Sequence, residues 1–316
     1  MRYYFAPLEG LTDSIFRALH HKYFPGVDRY YTPFFSPTVH RALTPREARE
    51  LPPADTLSYC CVPQLLTKVP EDFIWMAGVC KDLGYEEVNL NLGCPSGTVT
   101  GKGKGSGMLR DLAQLDCFLD KIFSEAALPI SVKTRIGFYD PREFPAILEV
   151  YNRYPIRELT IHPRIRTAFY NGSVDMEAFR YALEHSSAPL CYNGNLTCRA
   201  QLDAFRKEFP QVQALMIGRG LVGDPGMLCP EGTTAEKLEA FYAELLEVYT
   251  REFGGSRNAM FRLKENWRHL FCKFEDSEKL AKKLRKTTDV SEYKAITAQI
   301  FRTCKLRQEM LPDWDV

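Results

Sequence analysis

The feature that most constrains the fold of this chain is a regular alternation of short β-rich runs with amphipathic, helix-like stretches. The β-rich runs number eight and lie within about the first 220 residues. Strands that alternate with helices favour a parallel sheet covered by helices. The predicted strands are Tyr3–Pro7, Tyr30–Phe34, Ser58–Leu65, Glu87–Leu92, Ile130–Thr134, Glu158–His162, Leu190–Asn193 and Ala214–Gly218.

This strand count predicts an α/β fold of the (β/α)8 TIM barrel type. A doubly wound sheet is the alternative, but it favours a glycine-rich turn directly after the first strand, and none follows Tyr3–Pro7. The pattern changes after Gly226. We therefore predict a catalytic barrel over residues 1–226, a Pro/Gly/Thr-containing linker over 227–234 and a small C-terminal all-helical domain over 235–316.

Composition excludes several classes of protein. The chain is 45% hydrophobic and 26% charged, which is typical of globular proteins. No apolar run approaches the roughly 18 residues of a membrane-spanning helix, and the N-terminus lacks the apolar segment of a signal peptide. The 10 cysteines have neither a disulfide-like framework nor zinc-ligand spacing. We expect a cytoplasmic protein without a membrane contact or a metal site.

Polar side chains are concentrated where the predicted strands end, which is where TIM barrels hold their active sites. Taken singly, each has an ordinary explanation: a turn, a structural ion pair or a hydrogen-bonded core histidine. Their concentration at one end of the strands instead predicts an active site. The residues are Pro7, Leu8, Glu9, Gln64, Asn91, Cys94, Lys133, Arg135, His162, Arg164, Arg166, Asn193, Gly194, Asn195, Gly218 and Arg219.

The glycines after the last two predicted strands have a specific use. Barrels often bind phosphate there through backbone N–H groups and a helix N-terminus. Asn193–Asn195 and Gly218–Arg219 would form this cradle for the phosphate of a flavin. Lys133 would then stabilise the negative charge of the reduced ring, and Gln64 suits a ring edge that both donates and accepts.

Several motifs resemble, in order, those of the tRNA-dihydrouridine synthase family. They are A-P-L-E-G, N-L-G-C-P-S, G-K-G-K-G-S-G-M-L, V-K-T-R-I-G, I-H-P-R-I-R, Y-N-G-N and M-I-G-R-G, and a weaker match runs through Phe261–Lys264 to Trp267. The resemblance implies that Cys94 is the active-site cysteine. It implies that the FMN contacts are Pro7, Leu8, Glu9, Gln64, Lys133, His162, Asn193, Gly194, Asn195, Gly218 and Arg219. Ser106, Asn195 and Pro163 depart from the family's usual residues and leave the target uridine open.

The chemistry that the resemblance implies suits these residues. Reduction of the C5–C6 double bond of uracil needs a hydride at C6, which the flavin supplies, and a proton at C5. A thiol with a pKa of about 8.5 is mostly protonated at neutral pH, so Cys94 is a suitable acid. The resemblance implies NADPH as the reductant of the flavin. No dinucleotide-binding fingerprint is visible, so the nicotinamide is expected to visit the open flavin face transiently.

Binding of tRNA must depend on local basic patches, because the net charge is only +1. A solvated helix face is the ordinary explanation for the basic residues of the C-terminal part. A flavin site that needs a macromolecular substrate favours tRNA contact instead. The residues assigned to substrate or tRNA are Asn91, Lys102, Lys104, Arg135, Arg164, Arg166, Lys264, Arg268, Lys279, Lys282, Lys283 and Lys286. No protein partner is evident, which is compatible with a monomer.

Two other functions remain open at this point. An FMN-dependent dehydrogenase of the dihydroorotate type uses a similar barrel, but the basic loop after Cys94 and the added helical domain favour RNA. A non-catalytic RNA-binding barrel would not need Cys94, Lys133 and His162 together.

Overall fold

The computed structural model describes residues 1–37 and 40–308 and confirms the TIM-barrel fold. Its strands form a single sheet of nine, in the order β3-β2-β1-β9-β8-β7-β6-β5-β4, and the strand pairs are parallel. The strands are β1 Arg2–Phe5, β2 Arg29–Tyr31, β3 Cys61–Val62, β4 Gln64–Leu65, β5 Val88–Leu92, β6 Ile130–Gly137, β7 Leu159–Ile165, β8 Leu190–Tyr192 and β9 Ala214–Ile217.

The ninth strand arises because one predicted strand is split. Ser58–Leu65 is divided into β3 and β4 at Pro63, which has no N–H to donate to the ladder. The Pro63 carbonyl still accepts a hydrogen bond from the Asn89 N–H at 2.8 Å. β3 and β4 are the two ends of the sheet order, so the barrel is nearly closed at this interrupted strand.

The helices follow the strands as the sequence pattern predicts. They are α1 Ser14–Tyr23, α2 Pro45–Glu50, α3 Pro70–Asp82, α4 Gly97–Thr100, α5 Leu112–Glu125, α6 Phe144–Tyr151, α7 Met176–His185, α8 Arg199–Glu208, α9 Arg219–Gly223, α10 Ala235–Glu252, α11 Ser256–Leu270, α12 Glu278–Lys286 and α13 Val290–Thr303. Across residues 1–37 and 40–308, no helix is both long and apolar enough to span a membrane.

The chain divides into two compact units. The first unit comprises Met1–Pro7, Arg29–Gly194 and Gln211–Met216, and the second comprises Leu8–Asp28, Asn195–Pro210 and Ile217–Val316. The second unit therefore includes α1 and α8 besides the C-terminal helices. The domain bounds expected from the sequence are not the bounds of these units and stay a prediction.

The core of the first unit lies among its strands. Every residue of β5 and β9 is buried, as expected for parallel strands that are covered on both faces. A cluster of buried side chains from several strands fills this core; its members are Tyr4, Ala6, Tyr31, Val62, Cys191, Ala214 and Met216. Asn89 and Asn91 of β5 are polar exceptions, and both belong to the site described below.

The second unit is held together by a buried polar cluster as well as by apolar packing. The Asp13 carboxylate caps α1 by accepting the Phe16 N–H at 2.9 Å. It also accepts the Tyr249 hydroxyl at 2.9 Å and the Arg262 Nε–H at 2.8 Å. In α1, burial lowers the pKa of His20 to about 3, so this imidazole stays neutral beside the Pro225 carbonyl.

Candidate active site at the carboxyl ends of the barrel strands

The loop that follows β5 holds Cys94 in a fixed backbone conformation. The Asn91 side-chain oxygen accepts hydrogen bonds from the Gly93 N–H at 3.1 Å and from the Cys94 N–H at 2.9 Å. A short polar side chain that bonds the backbone two or three residues ahead stabilises a tight turn. Asn91, which the sequence assigns to the substrate, therefore also shapes the turn that carries the thiol.

Two arginines from the neighbouring strand ends hold the carbonyls on either side of Cys94. Arg135 Nε donates to the Gly93 carbonyl at 2.9 Å, and its Nη1 donates to the Ile165 carbonyl at 2.9 Å. Arg166 Nε donates to the Pro95 carbonyl at 3.1 Å. Hydrogen bonds from charged donors are stronger than neutral ones, so these contacts restrict the loop on both sides of the cysteine.

The glycine-rich loop packs directly on Cys94. The Ser106 hydroxyl donates to the Cys94 carbonyl at 2.8 Å. Gly105 has φ +58°, and a Cβ there would lie 3.0 Å from the Cys94 carbonyl oxygen and 3.1 Å from the Cys94 Cβ. Only glycine combines this backbone conformation with such close packing. Ser106, where the family usually has alanine, thus completes the set of hydrogen bonds on the Cys94 carbonyl.

A chain of buried side-chain hydrogen bonds leads from β6 to the Cys94 loop. Asn89 Nδ2 donates to the Ser131 hydroxyl at 2.9 Å, and Gln64 Nε2 donates to Asn89 Oδ1 at 2.8 Å. Asn91 Nδ2 donates to Gln64 Oε1 at 2.7 Å. Gln64 is fully buried, and this network fixes the orientation of its amide. Its contact with a flavin ring stays a prediction.

Lys133 lies beside Asn91 in the β5–β6 ladder and has no ion-pair or hydrogen-bond partner for its amine among the described residues. Burial lowers its pKa to about 8, and nearby Arg135 acts in the same direction, although part of the side chain still reaches solvent. An unpaired, partly desolvated lysine of this kind would gain from a bound anion. This suits the predicted contact with a flavin.

Arg135, Arg164 and His162 are buried rather than spread on an exposed rim. Arg135 is 1% exposed and Arg164 is 2% exposed. Burial lowers the pKa of Arg135 to about 10. Arg164 Nη1 lies 3.3 Å from His162 Nε2, and Arg164 also donates to the Gly172 carbonyl. The loop-bracing role of Arg135 was missed in the sequence because its carbonyl partners are distant in the chain.

The residues predicted to cradle a phosphate belong to both units. In the first unit, Asn193 Nδ2 donates to the Met216 carbonyl at 2.7 Å. A Cβ at Gly194 would lie 2.0 Å from the Tyr192 hydroxyl oxygen, so packing alone already requires glycine there. Pro7, which is predicted to contact FMN outside this cradle, belongs to the same unit. The phosphate-binding use of Asn193 and Gly194 stays a prediction.

In the second unit, Arg219 Nη2 donates to Asn195 Oδ1 at 3.4 Å, which brings together two predicted phosphate contacts. Gly218 is the N-cap of the short helix α9. Leu8 donates its N–H to the Thr12 hydroxyl at 2.9 Å, while Glu9 is exposed. The contacts of all these residues with FMN stay predictions.

The loop after Cys94 carries a basic cluster. Lys102 is exposed, whereas Lys104 donates to the Ser36 hydroxyl at 2.8 Å. Burial lowers the pKa of Lys104, and the charge of Lys102 lowers it further, as does that of Lys68. Lys68 was missed in the sequence, where it stands alone after β4 and carries no motif.

The basic residues of the C-terminal helices differ in their exposure and in their partners within the protein. Lys279, Lys282, Lys283 and Lys286 are all exposed on α12, as is Arg285, which no sequence motif marks. Of these, Lys283 lies 3.7 Å from Glu292. By contrast, Lys264 donates to the Thr287 carbonyl at 2.8 Å, and Arg268 pairs with Glu265 at 2.9 Å. Contact with tRNA stays a prediction for the whole set.

Solved structures with a similar fold include the old yellow enzyme homologue from Zymomonas mobilis, with a TM-score of 0.51 and 11% identity over 71% of this chain and 86% of that one. Histamine dehydrogenase from Rhizobium sp. 4-9 gives a TM-score of 0.50 and 11% identity over 85% of this chain and 49% of that one. At such low identity these likenesses show the fold alone.

Relatives of known name are similar along most of the chain. The probable tRNA-dihydrouridine synthase of Rickettsia conorii is 26% identical over 78% of this chain and 76% of its own length. The probable tRNA-dihydrouridine synthase 1 of Synechocystis is 26% identical over 95% and 86%. The tRNA-dihydrouridine synthase B of Proteus vulgaris is 29% identical over 70% and 67%. The family model for dihydrouridine synthase matches residues 4–308, so this chain is an oxidoreductase of the dihydrouridine synthase (Dus) family.

Proposed function

We propose that this chain reduces a uridine of tRNA to 5,6-dihydrouridine, with FMN as its cofactor and NADPH as the reductant. The observation that carries the proposal is the fixed Cys94 loop beside an unpaired Lys133, at the carboxyl ends of strands β5 and β6. Membership of the Dus family and the names of the relatives support the same substrate.

The residues fit a flavin in charge and polarity. Lys133 is a cation without a partner in the described chain, in a surrounding that lowers its pKa to about 8. A bound flavin offers the partial negative charge that such an amine lacks. Gln64 and His162 would contact the ring, and Asn193, Gly194, Asn195, Gly218 and Arg219 would hold the phosphate. Pro7, Leu8 and Glu9 complete the proposed FMN contacts.

When bound, the flavin supplies the hydride that reaches C6 of the uracil. Cys94 then donates its thiol proton to C5, where electron density accumulates. A general acid must be within hydrogen-bond reach of the atom that it protonates. The hydrogen bonds from Asn91, Arg135 and Arg166 limit the movement of the Cys94 loop and so keep the thiol in one place. The structural role of these three residues is thus part of the proposed chemistry.

A uridine of folded tRNA must leave its stack to enter such a pocket. The exposed Lys102 lies in the loop after Cys94, and further basic residues line α12. These charges would hold the phosphate backbone while the base is extracted. The cytoplasmic location and the monomeric state expected from the sequence stay predictions.

The test combines the colour of the protein with a single turnover. The purified protein is expected to show flavin absorbance, and NADPH should reduce this flavin. Addition of unmodified tRNA, taken from cells that lack the protein, should then reoxidise the flavin. Dihydrouridine then appears in that tRNA. A colourless protein that gains no absorbance with added FMN would contradict the proposal. Oxidation of free dihydroorotate without any action on tRNA would favour the small-molecule dehydrogenase instead.

A further inference from the structure

Exposed aromatic side chains are concentrated on the loops after β6 and β7. Tyr139 is 64% exposed, Phe169 is 41% exposed and Tyr170 is 46% exposed. Tyr139 follows β6, and the other two follow β7, whose Ile165 pairs with Gly137 of β6. Large exposed apolar groups that cluster are uncommon on a folded surface and usually mark a binding site.

Arginine side chains lie on the faces of these aromatic rings. The Arg166 guanidinium is 5.3 Å from the centre of the Phe138 ring and 5.0 Å from that of Phe169. Arg110 lies 4.9 Å from the Phe138 ring, and the Phe138 and Tyr139 rings are 4.5 Å apart. Arg166 therefore joins the two loops, and the cations add positive charge to an apolar surface.

Phe169 occupies a backbone conformation that a bulky residue rarely adopts. Its φ is +48°, in the left-handed region, and its N–H donates to the Arg166 carbonyl at 3.1 Å. The strained backbone at Phe169 is not offset by full burial of its ring, which is 41% exposed. Such strain is found most often at functional sites.

This surface is continuous with the candidate active site. Arg166 Nε donates to the Pro95 carbonyl, next to Cys94, and its Nη2 donates to the Thr100 hydroxyl at 3.2 Å. The same guanidinium thus contacts the Cys94 loop and the ring of Phe169.

We propose that Tyr139 and Phe169 form a stacking platform for unpaired nucleobases that neighbour the uridine extracted from the tRNA. The inference rests on the proposed function and deepens it. Extraction of one base leaves its neighbours without a stacking partner. Aromatic rings interleaved with arginines are the usual platform for unpaired bases, because every base has a π face and every nucleotide carries a negatively charged phosphate. The exposure and charge of this surface match that ligand.

The first experiment measures the dissociation constant of unmodified tRNA over a range of salt concentrations for Tyr139→Ala and Phe169→Ala. Each variant is expected to bind about 5- to 100-fold more weakly, as for the loss of one base stack. The slope of affinity against salt should stay that of the parent, because stacking releases no counterions. Val69→Ala removes a similarly exposed apolar side chain, 39% exposed, and should bind as the parent does.

The second experiment uses Phe169→Gly, because glycine tolerates a positive φ. The platform role predicts unchanged or increased thermal stability together with weakened tRNA binding.

The outcomes separate this inference from the proposed function. If the parent reduces tRNA while Tyr139→Ala and Phe169→Ala bind it as tightly as the parent, the platform does not exist and the aromatic surface has another partner. A steeper or shallower salt slope in either variant would also overturn stacking, because it would indicate an altered phosphate contact. A parent that neither binds nor reduces tRNA refutes the proposed function itself.

Discussion

The two ends of the barrel strands in the first unit use the same kinds of residue in opposite ways. At the amino ends, arginines are matched by carboxylates. Arg29 and Arg157 lie 3.1 and 3.0 Å from Glu87, which precedes β5. Arg2 lies 3.1 Å from Glu158, which precedes β7. The two carboxylates are almost fully buried.

At the carboxyl ends, the cations have no such partners. Lys133, Arg135 and Arg166 form no ion pair in the part of the chain that the structure describes. The two arginines donate to backbone carbonyls instead, which are neutral. The positive charge of this end is therefore not matched by a carboxylate in the described residues, whereas the charge of the amino end is neutralised within the protein. Neutralisation favours stability, and the unpaired charge favours binding.

The largest effect is expected from Cys94→Ala, which removes the proposed acid from the carboxyl end. Dihydrouridine formation should fall by about a hundred- to ten-thousand-fold, the usual contribution of a general acid. Flavin reduction by NADPH should survive because it needs no proton from the thiol. The measurement is single-turnover oxidation of the pre-reduced enzyme by unmodified tRNA, with Cys94→Ser as the intermediate case. If the Cys94→Ala variant were oxidised as fast as the parent, the acid would be another residue, and His162 would be the next candidate.

Glu87→Gln tests the amino end. It removes the negative charge shared by Arg29 and Arg157 and leaves the largely buried Arg29 without its carboxylate partner. The free energy of unfolding should fall by about 3 kcal/mol, as for other broken buried ion pairs. Flavin content and turnover below the unfolding temperature should not change. The midpoint of urea denaturation measures the loss, and a change in turnover without a shift in the midpoint would contradict the division between the two ends.

Lys133→Met should have opposite effects on stability and on binding. The folded pKa of Lys133 is about 8, below its ordinary 10.5, so the folded state loses this proton more readily than the unfolded state. The resulting destabilisation is fully present below about pH 8 and disappears as the pH rises towards 10.5. We expect the flavin-free variant to be more stable than the parent at pH 7, with a difference that shrinks above pH 8.

The same variant should bind FMN more weakly at neutral pH, because the charge that faces the flavin is lost. Thermal unfolding of the flavin-free proteins across pH and titration with FMN are the two measurements. If Lys133→Met and the parent were equally stable at all pH values and bound FMN with equal affinity, Lys133 would have no role in FMN binding.

The smallest effect is expected from neutralising the exposed lysines of α12. A variant with Gln at Lys279, Lys282, Lys283 and Lys286 should bind tRNA several-fold more weakly and show a flatter dependence on salt, because fewer counterions are released. Its FMN content should equal that of the parent. Lys81→Gln with Lys207→Gln removes exposed charges on α3 and α8 and serves as the control. An unchanged salt slope would indicate that the RNA-binding surface lies near Lys102 instead of on α12.

Much of the fold could be predicted because it depends on local patterns. The alternation of strands and helices determined the barrel, and the apolar face of α10 is buried at Leu238, Phe241 and Tyr249 as its helical spacing predicts. The split at Pro63 was not predicted, although proline carries a signal for it. In the candidate site, the sequence indicated Cys94, which follows β5, and Lys133, which lies in β6, because neighbouring parallel strands end at the same edge of the barrel.

The sequence by itself determined which residues lie at the carboxyl ends of the strands, because the alternation of strands with helices makes the strands parallel. Only the tertiary structure decided how they are used. Arg135 and Arg166 could be predicted as rim cations, but their bonds to the Gly93 and Pro95 carbonyls depend on side-chain paths across neighbouring strands and loops. The same is true of the lowered pKa of Lys133, because desolvation and the absence of a carboxylate partner are properties of the packed surroundings and not of the lysine.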